Sequence, residues 1–450
     1  MNTISCEKTA RTAITGLARN LTLGVATAAL LAPFAMGSAV AAENGKFRLG
    51  VVTFLSGPAA GPFGIPSANA AKVIVDGLNK GELPAPYNTK GINGAEIELV
   101  MIDEAGGATK QVEEFRNLVQ RQKVDAVVGY ISSGDCLAIA PVAEELKALT
   151  VFYDCGTSRL FDENGKPEYV FRTGLDAAVD NIGAAKYLAT AKPDATRIAG
   201  IQQNYAWGHD SWNDFTKALK HTMPNAKIVE SQMPKVFQGQ YGAEISALSV
   251  SRPDVVHSSF WGGDMEAFVL QANARGLLED SVALLTTGES GIDRFKDQAP
   301  DGTIISARGP FGAFAPENEL NGWFTKAYSA AHEGTAPTYP ASKMAHAILG
   351  LKHAADKAGG GDGSIPAPKA IADSFKGATF ESVSGTANMA RADGHQNMQG
   401  ISYGTYRYDP ATGKGMVENI VTFSGECVTA PDGTSSNDWI EAGFPGAKCD

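Results

Sequence analysis

Basic charge is scarce in this chain: 38 Lys and Arg face 49 Asp and Glu among 450 residues, a net charge of −11. That deficit argues against nucleic acid or an anionic membrane surface as a partner. Cysteine is sparse as well, 5 in all, and none belongs to a CxxC pair. With no HExxH either, the sequence supports no zinc or other metal site. Beyond residue 42, no run approaches the ~18 uncharged apolar residues that a membrane helix needs. A Walker loop, GxGxxG spacing and a GxSxG elbow are all missing, so nucleotide binding and serine hydrolysis lack their signatures. His209, His257, His346 and His395 are scattered, and spacing ties none of them to a nucleophile. These absences point away from an enzyme and from any cofactor.

What is present begins with an export leader over residues 1–42. Lys8, Arg11 and Arg19 form a basic start, Leu21–Met36 is apolar, and Ala39-Val40-Ala41 offers a small-residue cleavage site. Cys6 precedes the apolar run, so no lipid attachment is expected. The expected product is a free, unlipidated protein of the periplasm with no membrane anchor. Removing the leader makes the chain more acidic still, since it takes three basic side chains and only Glu7. Cys136, Cys155, Cys427 and Cys449 remain, in a compartment where disulfides persist. Three pairings are open. We favour Cys136–Cys155 and Cys427–Cys449, because each closes a short loop. A mature chain of about 400 residues exceeds one ordinary core, so two domains are expected.

Strand and helix signals alternate. Strand signals at Phe47–Thr53 (an apolar run), Glu96–Asp103 (alternating apolar and polar), Val124–Gly129 and Thr150–Tyr153 are separated by helical patterns ending near Asn79, Gln122 and Leu146. A second series places strands at Arg197–Gln202, Lys227–Gln232, Asp254–Ser259 and Ala283–Thr287, again with helices between. Two successive βαβα series predict two parallel sheets covered by helices on both faces, with right-handed connections. Gly359–Gly363 reads as a surface loop after a helical Ala341–Lys357, and the chain from Glu381 reads as short strands and turns.

Open α/β sheets bind ligands at the carboxyl ends of their strands, so the loops there are the candidates. Val124–Val128 runs through a glycine into Ser132-Ser133-Gly134 and then straight into a helix. Hydroxyls beside a helix N-terminus suit a small anion, although serines there also serve as plain N-caps. Cys155-Gly156-Thr157 follows a neighbouring strand and would converge on the same anion. Phe63, in a Gly/Pro loop after the first strand, either packs on the core or walls a site. Tyr205, Trp207 and Trp261 lie beside glycines at strand ends of the second series and would add an apolar wall. Glu289 adds one acid; buried there it would pair with a cation such as an ammonium.

The order of these motifs resembles the type I periplasmic solute-binding proteins of the branched-chain amino acid (leucine/isoleucine/valine-binding) ABC transporter family. The carriers are FLSGPAAGPFG, IDEAGG, VDAVVGYISSG, APVAEE, DCGTS, YAWG, RPDVV and FWGGDMEAFVLQANARGL, spread from Phe47 to Phe423. The resemblance implies two Rossmann-like lobes joined by three crossovers. Lobe one would hold 43–173 and 304–405, lobe two 174–303 and 406–425, with a disulfide-tethered tail at 426–450. It implies a monomer that captures a branched-chain or aromatic amino acid by hinge closure and delivers it to an inner-membrane ABC permease. Relatives for aromatic acids, amides or urea, and ligand-sensing partners of membrane receptors, share the same pattern. By the same likeness Ser133, Cys155 (through its backbone), Gly156 and Thr157 would hold a carboxylate, Glu289 an ammonium, and Phe63 and Trp207 the body of the ligand. Ser132, Tyr205 and Trp261 match more loosely. Trp207 stands where the family carries Tyr, which implies an altered pocket.

Overall fold

The computed structural model describes residues 45–163 and 165–449; the expected leader lies outside them. Five strands, β1 Lys46–Thr53, β2 Glu96–Asp103, β3 Ala126–Gly129, β4 Thr150–Phe152 and β5 Val170–Arg172, form a parallel sheet in the order β2-β1-β3-β4-β5. Its central strands are buried on both faces, which is why they read as unbroken apolar runs rather than alternating ones. Helices α1 Ile65–Lys80, α2 Ala108–Gln120 and α3 Ser133–Leu146 connect these strands. Local chemistry sets their ends. Pro66 opens α1, where a missing N–H costs nothing, and Gly81 closes it with φ +72°. The Ser132 hydroxyl caps α3 by accepting from the Asp135 N–H at 3.4 Å.

The second sheet runs β14-β13-β10-β9-β8-β6-β7. Its parallel part comprises β6 Arg197–Ile201, β7 Lys227–Gln232, β8 Val255–Ser258, β9 Val282–Leu285 and β10 Ile304–Ser306. Helices α4 Ala177–Ala191, α5 Ala206–Thr222, α6 Gly242–Ser251 and α7 Gly263–Ala274 complete this half. The long hairpin β13 Ile401–Asp409 and β14 Lys414–Phe423 adds an antiparallel edge. Between β10 and β13 the chain returns to the first half with α8 Glu319–Ala331, α9 Tyr339–Gly359, α10 Pro368–Phe375 and the small hairpin β11 Thr379–Ser382/β12 Gly385–Asn388. The α9 helix is buried over nearly its whole length and packs against α1.

The architecture is the expected one: two parallel-sheet α/β halves joined where the chain passes between them three times. One boundary is corrected. The sheet pairings place β10 and the whole of β13 in the second sheet, so the returning segment of the first half lies between Ser306 and Ile401, not over 304–405. A three-residue strand does not reveal in sequence which sheet it joins. At the crossings, Arg172 bridges to Gln396 and the Asn397 side-chain N–H donates to the Thr173 carbonyl at 2.9 Å.

Both favoured cystine pairs are formed, Cys136–Cys155 and Cys427–Cys449. The second fastens the tail, whose Trp439 and Phe444 rings pack with α4 and α5 residues of the second half. Its two cysteines are 22 positions apart, and closing a loop of that size removes about 3 kcal/mol of unfolded-chain entropy. Replacing both Cys427 and Cys449 by Ser should therefore lower unfolding stability by about 2–4 kcal/mol in urea titration.

Candidate functional site

The carboxyl ends of the two sheets face one another across a narrow cleft. The cleft holds about 210 Å³ of empty space, of which only about 10 Å³ is open to the centre of a water molecule. Aromatic rings account for the tightness. From the first half come Phe63 and Tyr339, with ring centres 5.4 Å apart. From the second come Tyr205, Trp207 and Trp261. Trp261 meets Phe63 edge-on at 5.4 Å and donates its indole N–H to the Tyr205 hydroxyl at 2.7 Å. The Trp207 indole N–H donates to the Ser259 carbonyl at 2.8 Å, which fixes the plane of that ring.

The polar floor is built around Arg308, which follows β10. Its Nε donates to Asp180 Oδ2 of α4 at 2.9 Å and its Nη1 to Asp154 Oδ1, just after β4, at 2.5 Å. The guanidinium also lies over Trp207, 4.3 Å from the ring centre, a cation–π arrangement that desolvation strengthens. Lys343 of α9 donates to the same Asp154 oxygen at 2.6 Å. These four charged side chains are at most 4% exposed, and their charges sum to zero. Burial opposes the charge on Arg308, but Asp180 and Asp154 outweigh it and hold the guanidinium above its ordinary range. Burial, with Arg308 nearby, pushes Lys343 down to about 8.

The expected site residues divide into two groups. Phe63, Ser133, Gly156, Tyr205, Trp207 and Trp261 line the cleft. Ser132, Cys155, Thr157 and Glu289 are not among its lining residues. Ser132 is spent as the α3 cap. Cys155 is held in its disulfide, with its carbonyl accepting from Arg172 at 3.1 Å. The Thr157 N–H donates to the Ser133 hydroxyl oxygen at 3.1 Å, and the Thr157 hydroxyl donates to Asp210 of the second half at 2.6 Å.

Glu289 differs most from expectation. Both its oxygens accept backbone N–H groups, from Ala313 at 2.8 Å and from Tyr339, the first residue of α9, at 2.7 Å. It thus joins the second half to the first by capping α9, and it does not line the cleft. Burial pushes its carboxyl up to about 7, against the lowering pull of the two donors.

The lining residues not foreseen are Ile131, Asp154, Thr287, Arg308 and Tyr339. Asp154 opens the DCGTS motif, where the sequence gives its carboxylate no role of its own; Arg308 and Tyr339 belong to none of the motifs. Beneath α3, the Glu104 carboxylate accepts from the N–H groups of Ile131 and Ser132. Burial, reinforced by Asp135, raises its pKa well above the ordinary carboxyl range. Among the described residues no group of three or more His, Cys, Asp or Glu could hold a metal, and no helix is long and apolar enough to cross a membrane.

With this geometry in place, the comparisons are specific. The family profile described as periplasmic binding protein matches residues 46–407. A solute-binding protein of an ABC transporter from R. palustris, solved with benzoate, superposes with TM-score 0.70 at 21% identity, covering 83% of this chain and 96% of that one. A leucine-binding protein from Thermotoga maritima gives 0.68 at 18% identity, covering 83% and 98%. A branched-chain amino acid transporter substrate-binding protein from Streptococcus pneumoniae, solved with isoleucine, gives 0.69 at 19%, covering 84% and 99%. No curated protein matches the chain.

Two expectations follow from the site geometry. A methyl group on Gly156 would lie 2.4 Å from both Arg308 Nη2 and the Trp207 ring, and two carboxylates lock that arginine in place. Gly156→Ala should cost about 1–3 kcal/mol of stability, measured by urea unfolding followed through tryptophan emission. For Glu289 the folded pKa of about 7 exceeds the ordinary 4.5. The folded state therefore holds that proton more firmly, and the contribution is full below about 4.5 and lost as pH rises through 7. The drop in stability between pH 5 and pH 8 should shrink in Glu289→Gln by about 1–3 kcal/mol.

Proposed function

Since the chain belongs to the periplasmic binding protein family, whose members are solute receptors rather than enzymes, we propose that it is the receptor of an ABC importer for a small aromatic carboxylic acid. It would work in the periplasm as an unlipidated monomer released from its leader. The solute would be captured between the halves and handed to an inner-membrane permease. A ligand that touches both halves binds the closed form better and shifts the population toward it.

The observation that carries the aromatic-acid reading is the lining itself. Five aromatic rings, drawn from both halves, surround a cleft whose floor carries a guanidinium, and the acid expected to receive an ammonium is committed to backbone N–H groups. A flat body would stack among Phe63, Trp207, Trp261 and the two tyrosines. Its carboxylate would meet the Ser133 hydroxyl, the N-terminus of α3 and the Arg308 edge. The R. palustris protein solved with benzoate is consistent with this chemistry.

An amino acid is the second reading. It rests on one oxygen: Asp154 Oδ2 is buried without a partner and could receive an ammonium. A thermal-shift screen separates the two. Benzoate-type acids at a hundredfold excess over their Kd should stabilise the protein by about 2.7 kcal/mol, with leucine, isoleucine and phenylalanine leaving the midpoint unchanged. Stabilisation by the amino acids alone would reverse the assignment.

A further inference from the structure

Two buried acids lie at the loop that opens α3, and neither has a role in the site described above. Glu104 follows β2 in the IDEAGG motif, and its own N–H donates to the Thr53 carbonyl at 2.9 Å. Its Oε1 accepts from the Ile131 and Ser132 N–H groups at 2.8 and 2.7 Å. Ile131 and Ser133 of the same loop line the cleft. One short segment therefore holds Glu104 and borders the cavity. Asp135 lies two residues beyond Ser133, in the first turn of α3. Glu104 is 0% exposed and Asp135 3%, and among the described residues no ion pair reaches either. The cations of the cleft floor, Arg308 and Lys343, are given to Asp154 and Asp180.

Two carboxyl groups sharing a water-poor pocket do not both ionise readily, and without a cation they hold a proton between them. Burial raises both above the ordinary carboxyl range, with Asp135 adding to the rise on Glu104. The other titratable groups acting on the pair bring no positive charge. They are Asp154 after β4, Tyr130 after β3, Tyr153, and Tyr205 from the second half, with Glu114 of α2 acting on Tyr130.

We propose that Glu104 and Asp135 set the charge selectivity of this end of the cleft, so that a ligand carboxylate is bound together with one proton. A carboxylate at the Ser133 hydroxyl and the α3 N-terminus would be one more negative charge beside the pair. A helix N-terminus supplies only about half a unit of positive charge against it. The anion makes the shared proton harder to lose, and by reciprocity a pair that has lost its proton binds the anion less well. Affinity for an acid should be full where the free pair is protonated and fall as pH rises through its range. The inference rests on a carboxylate being held at Ser133, which the aromatic-acid and amino-acid readings share.

The test counts protons. Calorimetry with benzoate and with leucine, between about pH 6 and about pH 8.5 in buffers of low and high ionisation enthalpy, gives the uptake per ligand bound. With whichever acid binds, the wild type should take up at least about 0.5 proton at its maximum. Glu104→Gln keeps an acceptor oxygen for the Ile131 and Ser132 N–H groups and removes one titrating group. Asp135→Asn removes the other. Each variant should lose more than about half of the uptake. A purely structural role would lower the urea midpoint and leave the proton count as it was. If one variant does not fold, the other decides. No uptake by the wild type, or an undiminished count in either folded variant, overturns the pair and leaves the ligand reading standing; the second result is the one expected if Lys343 alone answered the anion. Failure of both acids to bind overturns the carboxylate reading and this inference with it.

Discussion

The paired carboxylates around Arg308 tie the two halves of this molecule together. Asp154 belongs to the first half, Asp180 to the second, and the guanidinium between them answers both at once. Buried charges of this kind gain little over a well-packed apolar alternative, yet removing any one partner leaves an uncompensated charge in a water-poor interior. The arrangement therefore enforces geometry more than it adds stability. It sets Trp207 against Gly156, keeps Lys343 on Asp154 and defines where the cleft floor lies.

Around that centre the two halves meet through contacts of several kinds. The Gly263 N–H donates to the Pro58 carbonyl at 2.9 Å, Thr157 and Arg159 reach Asp210, and Glu289 caps α9 from the opposite half. Phe54 and Phe63 press on Trp261. Many of these bonds lie away from the cavity lining, so the join between the halves rests on more than the residues that face the cavity. Differences between solutes would then arise mainly from the few groups that face the cavity.

Much of the fold was legible because its signals are local. Strands buried on both faces leave continuous apolar runs, as at Ala126–Gly129, and glycine or serine at their carboxyl ends marks the turn into the next helix. The aromatic half of the site was legible for a related reason: large rings beside glycines on loops are costly unless they are buried together. The charged half was not. Arg308 finds its carboxylates 154 and 128 positions away, and nothing in its own neighbourhood foretells either. The one available hint was an arginine in an otherwise small and apolar stretch, TIISARGPFGAF. Glu289 is the complementary case. An acid at a strand end is visible in sequence, but the N–H groups that occupy it, 24 and 50 residues on, are not.

The returning segment has a further consequence, for the order in which the molecule can assemble. The α9 helix completes the first half's core, and the Ser67 hydroxyl donates to the Pro340 carbonyl across 273 positions. The amino-terminal sheet thus waits for residues that come after almost the entire second half. Such distant closure is slow, because its loop entropy is spent before the contacts that reward it exist. The first half's core therefore stays incomplete until the last third of the chain has been made.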